Sequence, residues 1–271
     1  MLQAGNIVSW ESPKEEVLFA DLRCALGVNG FSEDLAKEMA PRNAFSRACK
    51  QMKEDRVIDK VEETKEEIKF QLTRKSLVGT ELEYTKECDM FLNKETGRVH
   101  GSNTQLAEHA EKLVFHHQNV RCSADITRLI QKIFENSGGD LVPVRKQGGV
   151  YFVPHTHTEL IHRIGSLMSS LGGALNLFAV DANDAKTKEC VAEQMTDHLL
   201  GLIDEFKANC NGITADTGQA TIERRVDNVI EIKGKLQSYE SLLTGYVDKI
   251  SREIDDAERV LLEAAVRKAV A

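Results

Sequence analysis

Hydrophobic residues recur at alternating steps of four and three along the C-terminal part of the chain. The series begins at Ile222, Val226 and Val229 and continues to Leu261, with ten of its twelve positions apolar. A repeat of this spacing, sustained over several heptads, favours supercoiled helix packing over an ordinary surface helix. We therefore predict one long helix over residues 222–261 with a coiled-coil-type seam.

This seam predicts a binding partner. A second amphipathic helix is predicted over residues 185–209, but it covers only about half of the seam. Lys233 and Glu240 interrupt the seam, as polar residues do where they fix register. We expect homo-oligomerisation, or docking of a partner helix, through the apolar seam residues Val226, Val229, Leu236, Leu243, Val247, Ile250 and Ile254.

The front of the chain alternates helical and strand patterns. After a loose leader over residues 1–13, helical spacing predicts helices over 14–26, 32–39 and 42–54. Ser32 is the predicted N-cap of the second helix. Two alternating segments over 56–61 and 67–73 then predict a hairpin with an acidic turn. Three helices followed by a hairpin is the order of a winged-helix domain.

A similar order recurs downstream. Helices are predicted over residues 104–117 and from Ser123, which is the expected cap. Two short strands over 141–145 and 150–153 form a hairpin, because Gly148 and Gly149 supply the positive φ of a tight turn. The pattern over residues 81–99 is ambiguous, and residues 93–97 have the composition of a turn inside a small sheet. Behind Pro154 the chain is predicted to be helical, beginning with residues 158–171.

The predicted fold class is α+β and mostly helical, with tandem winged-helix-like units that carry short β-hairpins, followed by a helical, coiled-coil C-terminal region. The predicted domains are 1–80, 81–173 with the hairpin 141–153, and 174–271. The front half resembles the winged-helix superfamily. The segment Gly-Gly-Val-Tyr-Phe-Val-Pro at 148–154, followed by helices, resembles uncharacterised proteins of phages and plasmids.

Charge is distributed unevenly along the 271 residues. The net charge is -8, which argues against wholesale coating of nucleic acid. Residues 41–75 nevertheless carry ten Lys or Arg against seven Asp or Glu, whereas residues 171–271 carry twelve against eighteen. A local basic surface in the front half is therefore compatible with an acidic rear, although a solvated surface is the simpler interpretation of both figures.

Cysteine spacing and hydropathy predict the compartment. The six cysteines include no CxxC pair, so neither a zinc knuckle nor a disulfide framework can be read from them. Apolar runs such as 174–180 are far shorter than the ~20 residues of a membrane span, and the N-terminal segment lacks a signal-peptide pattern. We expect a cytoplasmic protein that does not contact a membrane.

Basic residues on the predicted recognition helices make DNA a possible partner. Such helices present Lys and Arg to phosphates and base edges, and wings touch the backbone. The acidic first hairpin opposes this interpretation, since winged-helix units also serve as protein-protein modules. The candidate nucleic-acid-binding residues are Arg42, Arg47 and Lys50 in the first unit, and Arg121, Arg128, Lys132, Arg145 and Lys146 in the second.

A histidine motif, His155-Thr156-His157, follows the predicted hairpin. A strand ending in His-x-His resembles the metal-binding start of amidohydrolase and histidinol-phosphatase-type barrels, in which the imidazoles bind a metal that activates water. Those barrels need further parallel strands, and this chain continues as predicted helix. The other interpretation is a polar connection capped by Thr156 or Thr158. His109, His116 and His117 form a second group, which we expect to be packing.

Three functions follow from these patterns. The first is a non-enzymatic, DNA-associated or accessory protein of a mobile element that self-associates or binds a partner through its last helix. The second is a structural or protein-interaction oligomer that binds no nucleic acid. The third is a metal-dependent hydrolase that uses His155 and His157. No cofactor is predicted, because no GxGxxG or Walker-type loop is present.

Overall fold

The computed structural model describes residues 3–53, 56–78, 81–137, 141–144, 148–181, 183–214, 216–243 and 245–270. It contains both helices and sheets, which confirms the α+β class. The chain divides into two compact units, each assembled from stretches that are separate in sequence. Unit 1 comprises residues 1–11, 131–165 and 174–271, and unit 2 comprises residues 12–130 and 166–173.

Ten strands and eight helices are found in the described residues. In chain order they are β1 (Gln3–Glu11), β2 (Val17–Leu18), α1 (Phe19–Val28), α2 (Pro41–Gln51), β3 (Arg56–Glu63), β4 (Glu67–Val78), β5 (Glu81–Asn93), β6 (Val99–Gly101), α3 (Thr104–Asn119), β7 (Val120–Arg121), α4 (Ser123–Asn136), β8 (Val142–Pro143), β9 (Tyr151–Pro154), α5 (Thr158–Ser170), β10 (Ala174–Asp181), α6 (Ala185–Asn211), α7 (Gln219–Tyr239) and α8 (Val247–Val270). None of these helices is long and apolar enough to cross a membrane.

Unit 1 contains an antiparallel sheet in which β1 lies between β10 and β9. The prediction of a loose leader over residues 1–13 is therefore wrong for Gln3–Glu11. Gly5 is required here, because a Cβ at this position would lie 2.5 Å from both the Phe152 ring and the Val153 carbonyl oxygen of β9. The partners of β1 lie far away in sequence, so the strand leaves little local signal.

The second strand that sequence reasoning missed in unit 1 is β10. The region behind Pro154 was expected to be helical, but Ala174–Asp181 pairs antiparallel with β1, with Phe178 opposite Ile7. A short apolar run that follows glycines does not by itself distinguish a strand from a helix. The hairpin predicted over residues 141–153 is confirmed, with Val142 opposite Phe152.

The single helix predicted over residues 222–261 is wrong. The chain leaves the helix after Tyr239 and re-enters one at Val247, and Gly245 adopts a φ of +89° in the turn between them. That φ is costly for any L-residue other than glycine. The two helices fold back as a hairpin, in which Lys233 Nζ lies 2.6 Å from Glu258 Oε1. They pack with α6 and one face of the sheet around a shared hydrophobic core.

Unit 2 contains a second antiparallel sheet in the order β3-β4-β5-β6, and its core includes residues of α2 and α3. The strands predicted over 56–61 and 67–73 are confirmed in β3 and β4. The sheet then continues through β5 and β6, so a four-stranded sheet follows α2 in place of the two-stranded hairpin that a winged-helix order requires. The predicted turn at 93–97 joins β5 to β6.

The helix predictions succeed to different degrees. The patterns over 104–117, 158–171 and 185–209 are confirmed to within two residues at each end by α3, α5 and α6. The first predicted helix begins only at Phe19, because Val17 and Leu18 pair with β7. The second is reduced to a 3-10 turn over Glu33–Leu35, in which Ser32 Oγ accepts a hydrogen bond from the Asp34 N–H as expected of its cap.

Candidate functional site

Arg47, one of the predicted nucleic-acid-binding residues, is partly buried and paired with a carboxylate in unit 2. Its guanidinium donates two hydrogen bonds to the Asp125 carboxylate, from Nη1 over 2.7 Å and from Nη2 over 2.6 Å. This bidentate contact lowers the pKa of Asp125 to about 2 despite the opposing effect of burial. Arg47 therefore joins α2 to the start of α4.

Asp125 also organises the first turn of α4. Its Oδ2 accepts a hydrogen bond from the Cys122 N–H over 3.2 Å, which satisfies a backbone donor at the helix start. The predicted cap, Ser123, instead donates its hydroxyl to the Pro13 carbonyl over 2.8 Å. The Arg47–Asp125 pair is thus a structural link between elements.

Arg121 is buried, with only 5% of its surface exposed. Its Nη1 donates to the carbonyl oxygens of Val120 and Gln118, and its Nη2 donates to that of Lys37 over 2.9 Å. The guanidinium also lies over the Phe19 ring, 4.4 Å from its centroid. Arg121 therefore fixes backbone segments inside unit 2 and is out of reach of a phosphate.

Of the other predicted basic residues, Arg42 lies on the surface with Nη1 3.2 Å from Glu63 Oε1. Lys50 is exposed at the end of α2. On α4, Arg128 is exposed and Lys132, one turn later, is partly buried. Arg145 and Lys146 lie outside the described residues. The basic positions that face solvent are therefore fewer than the sequence suggested.

The predicted metal-binding histidines, His155 and His157, lie in a 3-10 turn between β9 and α5. His155 is exposed, and the Thr158 hydroxyl donates to its carbonyl oxygen over 2.7 Å. Thr158 Oγ1 also accepts a hydrogen bond from the buried Asn6 amide over 3.3 Å. Over the described ranges, no three or more His, Cys, Asp or Glu side chains form a group that could hold a metal.

The second histidine group lies at the C-terminal end of α3. His116 Nε2 is 2.7 Å from Glu16 Oε2. His117 is partly buried, and its Nε2 has no hydrogen-bond partner. Burial, together with the neighbouring His116, lowers the pKa of His117. This group therefore ties the segment before α1 to α3.

The predicted oligomerisation residues are divided between the interior and the surface of unit 1. Val229, Leu243, Ile250 and Ile254 are buried in the core that α7 and α8 share with α6 and the sheet. Leu236 and Val247 are partly buried against the same core. Val226 remains exposed. Because the chain turns back at Gly245, it covers most of its own seam.

Four aliphatic side chains on α7 and α8 nevertheless face solvent. We call Val226, Ile230, Leu262 and Val266 the α7–α8 patch; their exposed fractions are 42%, 60%, 67% and 55%. Val226 and Ile230 lie one turn apart on α7, and Leu262 and Val266 lie one turn apart on α8.

The Lys233–Glu258 contact shows that these two rows meet. In an antiparallel hairpin, each step back along α7 from Lys233 is matched by a step forward along α8 from Glu258. Ile230 therefore lies within one residue of the level of Leu262, and Val226 lies within one residue of the level of Val266. Both rows continue the helix faces that carry Lys233 and Glu258. The four side chains are thus placed on the side of the hairpin that carries the Lys233–Glu258 pair, and all four are exposed there.

A family model described as "Family of unknown function (DUF6744)" matches residues 4–270. The chain belongs to this family. No curated protein and no solved structure matches it. The DUF6744 match includes both compact units and the α7–α8 patch. Family membership assigns no activity, so the functional argument rests on the surfaces of this DUF6744 chain.

Two further surfaces of the DUF6744 chain are apolar and exposed. The ends of β4 and β5 pair beyond β3, and there Leu77 lies opposite Leu82 and Lys75 opposite Tyr84. Both leucines and Tyr84 are exposed, among charges of both signs. In unit 1, Leu177 and Phe178 of the edge strand β10 are also exposed. Sequence reasoning missed both surfaces because it did not place β5 or β10 in a sheet.

Proposed function

We propose that this protein is a non-enzymatic assembly component that associates with copies of itself through the α7–α8 patch. The observation that carries the proposal is the alignment of four exposed aliphatic side chains on two adjacent helices. Scattered surface apolar residues are ordinary, whereas a contiguous group of this kind is typical of an interaction site. Of the four, Val226 is the residue that the seam prediction named, and it is exposed.

The size of the patch favours moderate affinity. Removing the exposed part of each aliphatic side chain from water contributes about 1 to 2 kcal/mol. Four such side chains offset part of the translational and rotational cost of association. Stable interfaces bury roughly 800 Å² on each partner, so these residues would form the centre of a small interface. We therefore expect association that depends on protein concentration.

A second copy is the occupant that the surrounding charges favour. Glu223 and Arg224 on α7, and Glu263 and Arg267 on α8, are exposed and carry both signs. A two-fold interface brings the same surface together with itself, so a rim of one sign would be repulsive. This mixed rim allows acidic residues of one copy to face basic residues of the other.

The non-enzymatic part of the proposal rests on the sequence and on the two arginine contacts. The chain carries no nucleotide-binding or nucleophile motif. Arg47 and Arg121 hold helices and backbone segments together instead of lining a cleft. These contacts support a scaffold role for the charged groups buried in unit 2.

The test is the molar mass of patch variants by size-exclusion chromatography with light scattering. Ile230→Asp combined with Leu262→Asp places like charges in the centre of the interface, and we expect a mass reduced relative to the wild type. Val28→Asp is the matched control, because Val28 is an 80% exposed aliphatic residue on α1 of unit 2. An equal reduction in the control, or no change in the patch variant, would reject the proposal.

Association with DNA remains a prediction from the sequence. Among its candidate residues, Lys50 and Arg128 are exposed, whereas Arg47 and Arg121 are engaged inside unit 2. A mobility shift that weakens steeply with salt, and that is lost in Arg128→Ala with Lys132→Ala, would support DNA binding. Absence of a shift at low salt would remove it.

A further inference from the structure

Strand β10 forms one edge of the sheet in unit 1. It pairs with β1 along one side over its whole length, from Gln3 opposite Asp181 to Glu11 opposite Ala174. Among the described residues, no strand pairs with its other side. The backbone N–H and C=O groups along such an edge are a template for an added strand.

The middle of β10 is uncovered on both faces. Asn176, Leu177, Phe178 and Ala179 are four consecutive exposed residues, and Phe178 is 64% exposed. Successive side chains of a strand point to opposite faces of the sheet, so this run shows that neither face is covered here. A strand added to this edge would bury Leu177 on one face and Phe178 on the other.

The edge also lacks the usual protection against strand addition. Residues 174–180 contain neither a charged residue nor proline, and the register with β1 is regular from Gly5 to Glu11. Edge strands of β-sheets commonly carry lysine, proline or a β-bulge, which prevent pairing with another chain. An aliphatic and aromatic edge without these devices is suited to a β-strand partner.

The sequence of β10 is complementary to itself in one register. Two copies related by a two-fold axis pair antiparallel, and residues directly opposite share a face. A centre at Leu177 pairs Leu177 with its own copy, Asn176 with Phe178 and Leu175 with Ala179. All seven uncharged residues are used, and Asp181 falls outside the paired segment. A centre at Phe178 would instead place Asp181 opposite Leu175, where the charge would contact an apolar side chain.

We infer that β10 pairs antiparallel with β10 of a second copy, centred on Leu177, and joins two four-stranded sheets into one of eight strands. This pairing is a second self-association surface and does not depend on the α7–α8 patch. Together with the proposed function, on which this last step rests, it gives each chain two separate two-fold interfaces. Two such interfaces on one chain link copies beyond a dimer, into a closed tetramer where the two axes meet or into an open array where they do not.

The register is tested by disulfide trapping. Leu177→Cys is introduced with Cys24→Ser and Cys190→Ser, because these two native cysteines are exposed. Directly opposite residues of an antiparallel pair have Cα atoms roughly 4.5–5.5 Å apart, which is within reach of a disulfide. We expect a covalent dimer on mild oxidation of the purified full chain.

Leu175→Cys in the same background is the matched control. It lies on the same strand and the same face, but in this register the two copies of residue 175 are displaced by about four residues, roughly 13 Å. We expect at least about tenfold less covalent dimer than with Leu177→Cys. Equal trapping of the two variants, or no trapping at 177, would overturn the β10 pairing.

Molar mass separates this inference from the proposed function. Phe178→Lys places a charge on an exposed position of the edge, and circular dichroism checks that the variant is folded. We expect wild type to exceed a dimer, Phe178→Lys and Ile230→Asp/Leu262→Asp each to stop at a dimer, and their combination to be a monomer. If Leu177→Cys still forms a covalent dimer in the Ile230→Asp/Leu262→Asp background, the β10 pairing is supported independently of the α7–α8 patch. If the patch variant has a lower molar mass but Leu177→Cys forms no covalent dimer, the β10 pairing is rejected and the proposed function is retained.

Discussion

Arg47 and Asp125 are 78 residues apart in sequence, yet they form a bidentate ion pair in unit 2. Sequence reasoning assigned Arg47 to a DNA surface, because a basic residue on a helix looks the same whether it faces solvent or a carboxylate. Only the fold shows that Asp125 lies opposite. The contact gives Arg47 a structural role that the sequence did not indicate.

The pair predicts a specific acid sensitivity. The pKa of Asp125 falls from its ordinary 3.8 to about 2 in the folded protein. The stabilisation is therefore complete above about pH 5 and is lost as the pH falls through about 2, with a magnitude of about 2 kcal/mol. We expect Asp125→Asn to lower the urea midpoint at pH 6 and to flatten its dependence on pH between 4 and 2.5. Asp21→Asn, at an exposed position of α1, is the control, and an equal change there would contradict the assignment.

A second prediction concerns Gly5, where β1 lies close to β9. A Cβ there would meet the Phe152 ring and the Val153 carbonyl oxygen at 2.5 Å, and the backbone of β9 cannot move aside without disturbing its pairing. We expect Gly5→Ala to destabilise the protein by about 2 to 3 kcal/mol in urea unfolding. Gly201→Ala is the control, because Gly201 in α6 has open space and helix propensity favours alanine. Similar midpoints for the two variants would show that β1 and β9 do not approach closely.

A third prediction concerns Gly245, which lies in the turn between α7 and α8. Its φ of +89° is costly for alanine, so we expect Gly245→Ala to lower stability by about 1 kcal/mol. Gly234→Ala, inside α7 with open space around it, is expected to raise stability by about the same amount. The measurement is the urea midpoint by circular dichroism at 222 nm. A stabilised Gly245→Ala variant would favour the continuous helix that the heptad pattern predicted.

Elements with their own periodicity could be predicted from sequence, and those defined by distant partners could not. The helical spacing of α3 and α6, and the glycines between β8 and β9, are local signals. By contrast, β1 and β10 depend on each other across most of the chain. The heptad repeat identified the right core residues, but it ran through Gly245 and so missed the turn. Hydrophobic spacing reports which face is buried, and not whether the helix is continuous.

At the scale of the whole molecule, the candidate surfaces also differ in whether the local sequence could predict them. Val226 was predicted as a seam residue and is exposed, whereas Ile230, Leu262 and Val266 lie outside the predicted seam. Their grouping arises only because α7 and α8 are antiparallel, which brings residues more than 30 positions apart to the same level. The heptad pattern correctly indicated helix packing here, while the partner for most of the seam is the chain itself.

The most direct test of the central claim is the weight-average mass of the wild-type chain by sedimentation over a wide concentration range. Self-association through the α7–α8 patch predicts a mass that rises with concentration from the 30.2 kDa of the single chain. It also predicts that Ile230→Asp/Leu262→Asp shifts this rise to higher concentration. A wild-type mass that stays at 30.2 kDa throughout the range would contradict the account.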